Sequence, residues 1–283
     1  MNIDIGFSKL GSIAKWTFLA GVAVFVLMPL AFMFTASFLP EELVSSSPYP
    51  WITDHLHWQN YWFALKGYAE DFVYIRNIIN SLIVAAAVTG STVFISALTG
   101  YGLAKFPFRG RKLVLMIILS TMMVPFQAIM IPLYLVVSEM GLMDTYAGLI
   151  LPFLTTPFGV FIMRQYLLTF PDDLLDSARV DGAGEFQIFF KVVVPNSWPA
   201  IAALAVLTFR ITWDKLLWPL LVVQSSEMKT IPLYITAFST SKYINKAAMM
   251  AAGAIASLPM IILFFSLSQY FVRGARLFTG SKG

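Results

Sequence analysis

The chain has no cysteine and few charges: only 12% of its 283 residues are Asp, Glu, Lys or Arg. The absence of cysteine excludes disulfides, thiolate metal sites and thiol nucleophiles. Histidine is almost as scarce. His55 and His57 are the only two, and so few ligands argue against a metal site. Soluble domains carry about 25% charged residues, so the shortage of charge also excludes an ordinary soluble domain.

What the chain has instead is apolar side chains, which make up 58% of it and give a mean hydropathy of +0.76. A membrane-crossing helix needs about 20 mostly apolar residues. Six intervals approach that length, one of them interrupted by Arg210, Asp214 and Lys215. The first interval is too long for the apolar part of a signal peptide, so we expect it to remain as a helix. The sequence therefore predicts an all-α, polytopic membrane protein, a single transmembrane domain over residues 1–283. The predicted helices are approximately 16–38, 78–103, 113–137, 146–166, 197–223 and 249–272.

Basic residues are unevenly distributed between the predicted loops. With the N-terminus inside, twelve lie in cytoplasmic segments and five, among them Lys66 and Arg76, lie on the opposite side. Positive charge is retained on the cytoplasmic side of membrane proteins, so both termini are predicted to be cytoplasmic. The pI near 9.2 is then a record of orientation and gives no reason to expect nucleic acid as a partner.

The longest predicted cytoplasmic segment, residues 164–195, has the pattern of two short helices joined by a turn. A proline and two carboxylates at 171–173 favour a helix start, because proline is tolerated in the first turn and carboxylates suit the positive end of the dipole. Asp181-Gly182 ends this helix, and a second one is predicted over 185–193, before a proline. The second helix is apolar around most of its circumference. Either the membrane helices or a partner protein must cover it.

A longer motif runs through this segment. It reads Asp176-Ser177-Ala178-Arg179-Val180-Asp181-Gly182-Ala183, then eight residues, then Val192-Val193-Val194-Pro195. It resembles the signature loop of ABC importer permeases, in which an acidic-Ala-Ala element precedes Asp-Gly-Ala, eight residues and an aliphatic pair closing on proline. Asp176 and Ser177 replace the usual Glu and first Ala, conservatively in size and polarity. The resemblance is to the carbohydrate-uptake branch with maltose-type inner-membrane components, includes the Gly100–Gly110 motif and covers roughly Asn80 to the C-terminus.

This resemblance implies a type I ABC importer permease fold in the bacterial inner membrane and the transport of a sugar, an oligosaccharide or a related solute. The implied partners are a second homologous permease, two cytoplasmic ATPase subunits and an extracytoplasmic solute-binding protein, besides membrane lipid. The chain has no Gly-x-x-x-x-Gly-Lys-Ser/Thr loop, so ATP and Mg are expected on the ATPase, and this subunit is expected to be non-catalytic and without a cofactor. Gly280-Ser281-Lys282-Gly283 also resembles the tail of maltose-type permeases, which reaches the ATPase interface. The residues implied to dock the ATPase are Asp176, Ser177, Ala178, Asp181, Gly182, Ala183 and Pro195.

The interrupted apolar segment indicates where a solute could touch the chain. Arg210 and Asp214 lie one helical turn apart and can pair, and charges at membrane depth face protein or water. Two interpretations stay open. In the first, Asp214 accepts hydrogen bonds from solute hydroxyls while Trp213 or Trp218 offers a flat face to a sugar ring. In the second, Arg210 and Asp214 form a structural ion pair, and Lys215 reaches an aqueous cavity or a partner chain.

The family pattern Trp-Asn-x-Phe-Leu-Trp-Pro-Leu is matched at 213 and at 218–220, whose proline is expected to open the helix locally. Asp214 stands in place of the Asn, which weakens any transfer of a neutral-sugar preference. An acidic side chain beside Arg210 suits a polyol or glycoside, whereas an unpaired Arg210 suits an anionic sugar or a phosphate ester. Gln127, between two prolines of helix three, is a further candidate for the path, because such breaks are tolerated where a cavity satisfies the backbone.

Three other functions fit part of the pattern. A secondary transporter could use the charges of helix five, but the long inner loop of the docking type argues against it. A membrane-embedded enzyme needs a cluster of titratable groups, which only one short stretch of the sequence supplies. A purely structural subunit could keep the docking loop while a homologous chain contacts all of the solute.

Overall fold

Helices make up the regular structure of the chain in a computed structural model that describes residues 4–67, 72–240 and 245–279, and no strand occurs among them. The terminal Gly280–Gly283 segment lies outside the described residues. The first eight helices are α1 (Asp4–Ala36), α2 (Glu41–Val44), α3 (Gln59–Lys66), α4 (Val73–Lys105), α5 (Arg111–Ser120), α6 (Phe126–Glu139), α7 (Tyr146–Ile150) and α8 (Pro157–Leu168). They are followed by α9 (Asp172–Val180), α10 (Glu185–Ile188), α11 (Val194–Asn196), α12 (Trp198–Trp213), α13 (Leu217–Val222), α14 (Ile231–Thr240) and α15 (Lys246–Thr279). Short 3-10 segments lie at Thr121–Met123, Leu151–Phe153 and Ser226–Met228, and a π segment at Phe189–Val193.

Six stretches of helix can cross a membrane. Three do so as single helices, within Gly11–Ala36, Val73–Lys105 and Lys246–Ser266. Three bent pairs of helices are long and apolar enough when each pair is taken as one span. The pairs are Arg111–Met123 with Phe126–Glu139, bent by 95°, Tyr146–Phe153 with Pro157–Leu168, bent by 46°, and Glu185–Asn196 with Trp198–Trp213, bent by 78°. The chain is thus the all-α polytopic membrane protein that the sequence predicted.

Two predicted spans are broken at prolines. The interval 113–137 is divided between α5 and α6, because Pro125 has no amide hydrogen to donate and lies in an extended conformation before α6. The interval 146–166 is divided before Pro157, where the side chain of Thr156 caps the start of α8. Both breaks fall inside apolar sequence that hydropathy alone represents as continuous helix.

A third break lies in the interval 197–223, at a place that the sequence did not indicate. The chain leaves the helix at Asp214–Leu216, between α12 and α13. Pro219, which was expected to open the helix locally, is buried within the first turn of α13. Proline is accommodated there because the amides of the first turn have no helical partner in any case.

The described residues within 4–72 and 235–257 form one compact unit. In it, aromatic rings order the segment after α1: Tyr49 packs against Phe32 and Trp51 with ring centroids 4.9 and 5.0 Å away. Glu41 Oε2 accepts a hydrogen bond at 2.8 Å from the amide of Ala247, in the first turn of α15. A carboxylate at a helix N-terminus is favourable, so this contact stabilises the start of the last helix.

Residues 73–234 and 258–279 form the other unit. Its central helix is α4, which packs against α8 and α12. The packing against α8 requires glycine at position 100, because a Cβ there would lie 2.9 Å from the backbone nitrogen of Arg164. Around this contact, Tyr101, Met163 and Leu204 belong to an apolar core that continues into α9 and α10.

One end of α4 is fastened by Asn80, which is fully buried. Its Nδ2 donates to the carbonyl oxygens of Glu227 and Lys229, at 2.6 and 3.0 Å. Its Oδ1 accepts a hydrogen bond from the Tyr146 hydroxyl at 2.6 Å. The next residue, Ser81, accepts the amide of Ile231 at 2.8 Å, which satisfies a donor in the first turn of α14. We call these contacts the Asn80 clamp.

Asp144 extends the Asn80 clamp to the turn between α6 and α7. Its Oδ1 accepts the amides of Gln224 and Ser225 at 2.9 and 3.1 Å. Desolvation alone would raise the pKa of this carboxyl, but the two backbone amides favour the ionised form and hold the pKa below its ordinary value. The carboxylate therefore stays charged at neutral pH and keeps both amides paired.

Candidate functional site

The first helix of the 164–195 loop is the one that the sequence predicted. α9 starts after Pro171, with two aspartates in its first turn, and ends at Val180. Gly182 then takes a φ of +80°, a left-handed conformation in which a side chain is strained. The turn lets the amide of Ala183 donate to the carbonyl oxygen of Ala178 at 3.0 Å, which closes the helix.

The second helix is longer than the sequence predicted. It begins at Glu185 but does not stop at Val193, because a π segment carries it into α11. Pro195 follows directly on the π segment, where the i→i−4 hydrogen-bond pattern of the helix is already interrupted, and is therefore tolerated there. A bend of 78° follows, before α12. Pro195 thus lies at the joint between the loop and a membrane helix.

Four of the seven predicted docking residues come together on one surface. Asp176 and Ser177 lie elsewhere on α9, where Asp176 pairs with Arg179 at 2.8 Å and Ser177 Oγ donates to the Asp173 carbonyl oxygen at 2.7 Å. Pro195 lies at the opposite end of the loop. The four residues that meet line an open depression of about 270 Å³ and are Ala178, Asp181, Gly182 and Ala183. The depression is completed by Gln187, Ile188, Lys191 and Val192.

Two side chains of α4, one helical turn apart, hold the two loop helices. Lys105 Nζ donates to the carbonyl oxygen of Phe170 and to Asp172 Oδ1, both at 2.6 Å, at the start of α9. The Tyr101 hydroxyl donates to Glu185 Oε2 at 2.7 Å, at the start of α10. Each loop helix is therefore hydrogen-bonded at its N-terminus to the same membrane helix, α4.

Arg179 ties the loop helices to each other. Its Nε donates to Glu185 Oε1 and its Nη1 to Asp176 Oδ1, each at 2.8 Å. The hydrogen bond to Glu185, and then the one to Asp176, raise the pKa of Arg179, which stays charged. Sequence reasoning missed this network. The available signal was that Tyr101 and Lys105 lie four residues apart in a motif, while an acidic residue opens each loop helix.

The apolar side chains of the loop divide into two sets. Ile188, Phe189 and Val193 are at most 1% exposed and pack into the core around α4 and α8. Val180 on α9 and Phe186 on α10 are 87% and 73% exposed. Both interpretations of the apolar second helix therefore apply to part of it. The core around α4 and α8 covers one set, and the described chain leaves the other set open for a partner.

Arg210 and Asp214 lie where the solute path was predicted, at the end of α12. Arg210 Nε is 3.7 Å from Asp214 Oδ2, and the side chains are 63% and 59% exposed. Such an exposed pair with a long separation stabilises the fold little. The ion pair of the structural interpretation is present, yet both groups keep most of their surface free for another contact.

Both tryptophans that were predicted to offer a ring face to a sugar are buried in the chain. Trp218 is 1% exposed, donates its indole N–H to a carbonyl oxygen of α7 at 3.0 Å and packs against Phe126 and Phe153. Trp213 is 4% exposed and stacks on Phe209 with centroids 5.6 Å apart. Aromatic bulk fills the gap that the broken helices leave, so the structure gives these rings packing contacts.

Gln127 and Lys215 lie beside helix breaks. Gln127 is exposed in the first turn of α6, directly after the 95° bend. Lys215 was expected to reach a cavity or partner chain, but its Nζ lies 3.1 Å from the centroid of the Phe153 ring within its own chain. Arg210 and Asp214 are thus near the chain surface, while Lys215 is turned inward.

A metal site has no support in the described part of the chain. No group of three or more His, Cys, Asp or Glu side chains able to hold a metal ion occurs there. His55 lies in the segment between α2 and α3 with an exposed side chain, and His57 is half-buried. The argument against a metal site at these histidines rests on the small number of possible ligands in the sequence.

The chain is an all-α membrane protein whose spans hold the apolar helices of the 164–195 loop. Part of that loop is left uncovered. Such a protein is a membrane subunit that works with a partner. The family model described as "Binding-protein-dependent transport system inner membrane component" matches residues 92–277. The chain belongs to this family. It is a membrane-spanning, non-catalytic permease subunit of an ATP-driven importer in the inner membrane, and such a system includes a solute-binding protein and an ATPase.

Two curated relatives and one solved structure resemble the chain over most of its length. The arabinooligosaccharides transport system permease protein AraQ of Bacillus subtilis (strain 168) is 40% identical over 200 residues, which are 71% of this chain and 70% of that one. The sn-glycerol-3-phosphate transport system permease protein UgpE of Rhizobium meliloti (strain 1021) is 35% identical over 211 residues, 74% and 75% of the two chains. A bacterial ABC transporter involved in the import of the acidic polysaccharide alginate shares the fold, with a TM-score of 0.80 at 22% identity over 93% of this chain and 97% of that one.

Proposed function

We propose that the chain carries a sugar, an oligosaccharide or a related polyhydroxylated solute into the cell. The support comes from the names of relatives, which are permeases for arabinooligosaccharides and for glycerol 3-phosphate. The chemistry at the end of α12 agrees with this class. Asp214 has free acceptor oxygens for solute hydroxyls, and Arg210 beside it can donate. Gln127 is a further polar candidate in the path.

The 164–195 loop is the proposed coupling element. The observation that carries this proposal is the exposure of Val180 and Phe186 on helices that are themselves held rigidly by Tyr101 and Lys105. A rigid element with an uncovered apolar surface can transmit the movement of a partner to the membrane helices. Its proposed contact residues are Asp176, Ser177, Ala178, Asp181, Gly182, Ala183 and Pro195.

The proposed complex contains this chain, a second homologous permease, two ATPase subunits and an extracytoplasmic solute-binding protein. ATP and Mg are bound by the ATPase subunits in this proposal. Both termini and the 164–195 loop are cytoplasmic. The distribution of Lys and Arg between the loops supports this orientation.

The coupling proposal is tested by changing the turn between α9 and α10. We expect Gly182→Val to strain the turn by about 1–2 kcal/mol, because a β-branched residue does not adopt a φ of +80°. The complex is purified in mild detergent, and the co-purified ATPase and its stimulation by solute and binding protein are measured. Gly182→Val should release the ATPase or abolish its stimulation.

Gly184→Ala is the matched control. Gly184 has φ −72° and ψ 156°, and a Cβ there meets nothing within 4 Å, so this variant should behave as the wild type. If Gly182→Val keeps both ATPase and stimulation, the loop is not the coupling element. A chain that purifies alone and moves solute under an ion gradient would be a secondary carrier instead.

A further inference from the structure

Three helix breaks meet at Phe153, the last residue of the 3-10 segment that follows α7. Phe126, the first residue of α6 after the 95° bend, has its ring centroid 5.7 Å from that of Phe153. Trp218 in α13, just beyond the third break, lies 5.9 Å away on the same measure. The breaks that precede α6, α8 and α13 thus lie around a single aromatic ring.

Phe153 lies near mid-depth in the membrane unit. The hydroxyl of Thr92 on α4 reaches the carbonyl oxygens of Phe153 and Leu154, at 3.5 and 3.4 Å. Thr92 is nineteen residues from Val73 at one end of α4 and thirteen from Lys105 at the other, or about 28 and 20 Å at 1.5 Å per residue. Irregular backbone at that depth is tolerated where it is buried in protein or lines a water-filled cavity.

Lys215 places a positive charge at this junction. Its Nζ lies over the Phe153 ring at 3.1 Å. Within the described ranges, no carboxylate lies within the 4.0 Å of an ion pair with Lys215, because its neighbour Asp214 is turned toward Arg210. A cation–π contact attracts the ammonium group but leaves its net charge in place. An ammonium group at mid-depth therefore has an aromatic neighbour but no counter-ion in the part of the chain described.

Two sources of negative charge fit less well than the solute. A lipid head group is an interfacial ligand, whereas this amine contacts Phe153, whose carbonyl oxygen lies beside Thr92, about 20 Å from the nearer end of α4. A carboxylate of a neighbouring permease would meet the outward surface of α12, where Arg210 and Ile211 are 63% and 58% exposed. Lys215 is turned the other way, toward the breaks of its own chain.

We propose that Lys215 recognises an oxyanion of the transported solute, a carboxylate or a phosphate, at the junction of the three broken helices. This inference rests on the proposed import function and narrows its substrate class to acidic carbohydrates or sugar phosphates. The ammonium group supplies the charge-assisted hydrogen bonds to the oxyanion.

The test uses the complete complex with its ATPase and binding protein in proteoliposomes. ATP hydrolysis is measured against increasing digalacturonate, glycerol 3-phosphate and maltotriose, which carry a carboxylate, a phosphate and no charge. One of the two acidic probes should stimulate the wild type, and which one does so identifies the anion. Lys215→Met should raise the half-stimulating concentration of that probe by about tenfold or more, the loss of one charge-assisted contact. Lys215→Arg should restore it, since it keeps the charge.

Lys112→Met is the control, because Lys112 is an exposed lysine in the first turn of α5 and should change neither the basal nor the stimulated rate. The proposal is overturned if neither acidic probe stimulates, if Lys215→Met leaves the acidic response unchanged, or if the complex falls apart in both Lys215 variants. The last result would assign Lys215 to assembly with the neighbouring chain. A complex in which maltotriose alone stimulates would keep the import function and reject the anion, whereas a chain without any associated ATPase would reject the import function itself.

Discussion

The two ends of α4 are built in opposite ways. At one end, Asn80 and Ser81 are buried, and their side chains satisfy backbone groups of the same unit. At the other end, α4 also holds its neighbours by hydrogen bonds, but the helices that it holds leave Val180 and Phe186 largely exposed. At the first end, the polar groups find their partners within the chain. At the second end, the loop helices are held by hydrogen bonds but leave an apolar surface uncovered.

The difference separates stability from association. Buried polar groups contribute to stability only while every partner is present, because an orphaned group costs more than the bond gained. Exposed apolar side chains on a rigid frame contribute little to the stability of their own chain and are available to a partner. Variants at the two ends should therefore fail in different assays.

The largest effect is expected from the buried member of the loop. Phe189 is 1% exposed, so Phe189→Ala should lower the free energy of unfolding by about 3–5 kcal/mol through lost packing and a cavity. Phe186 is 73% exposed, and Phe186→Ala should change stability by less than about 0.5 kcal/mol. Thermal unfolding of the purified chain in detergent measures both.

The same pair of variants sharpens the association side of the comparison. Phe186→Ala should weaken ATPase binding about tenfold or more, as loss of an apolar anchor does. An ATPase titration of the purified permease measures this affinity. Equal unfolding temperatures for the two variants, or an unchanged ATPase affinity in Phe186→Ala, would contradict the division of the loop into a covered and an uncovered set.

Asn80→Leu should have the next largest effect. It leaves two carbonyl oxygens and the Tyr146 hydroxyl without their partner, which costs about 3 kcal/mol for orphaned buried groups. Thermal unfolding and proteolysis within residues 222–231 report the loss. Ser91→Ala is the control on the same helix, because among the described residues the Ser91 hydroxyl bonds only to the carbonyl oxygen of Val88 in its own helix, at 3.0 Å. ATPase binding should survive in Asn80→Leu, and its loss there would break the proposed separation of the two ends.

The smallest effect is expected from Tyr101→Phe. It removes a 2.7 Å hydrogen bond to the carboxylate of Glu185, worth about 1–2 kcal/mol, and leaves the ring in place. Hydrogen exchange should become faster for the amides of 185–193 and stay unchanged in α12. Tyr134→Phe, in α6, is the matched control. Unchanged exchange in the loop would show that Lys105 and Arg179 hold it without Tyr101.

Local signals in the sequence were enough for the first helix of the loop and the turn that ends it. A proline with two aspartates started α9, a glycine ended it, and both features act within one turn of helix. The spacing from Asp176 to Pro195 also identified the family to which the chain belongs. Hydropathy indicated a membrane protein with several apolar segments, because their length is set by the bilayer and needs no knowledge of packing. It did not give their bounds: the fifth predicted interval is 197–223, whereas the bent pair in that region covers Glu185–Asn196 and Trp198–Trp213.

Contacts between distant residues could not be predicted in this way. Tyr101 and Glu185 are 84 residues apart and Asn80 and Glu227 are 147 residues apart, so no periodicity links them. The role of Trp218 depended on Phe126 and Phe153, which arrive from two other broken helices. A tryptophan in a membrane span suits a sugar ring as well as a packed core, and only the fold decides between them.

α4 is a single unbroken helix that connects the loop to the opposite end of its unit. The three spans that surround it are broken, whereas α4 runs for 33 residues without a break, or about 50 Å. Tyr101 and Lys105 attach its last turn to the loop, and Asn80 attaches the other end to 227–231. A rotation of α4 by about 5° around its loop end would displace its other end by roughly 4 Å, because the helix is about 50 Å long. In the proposed coupling, a small movement of the loop would therefore become a larger movement at the other end of α4.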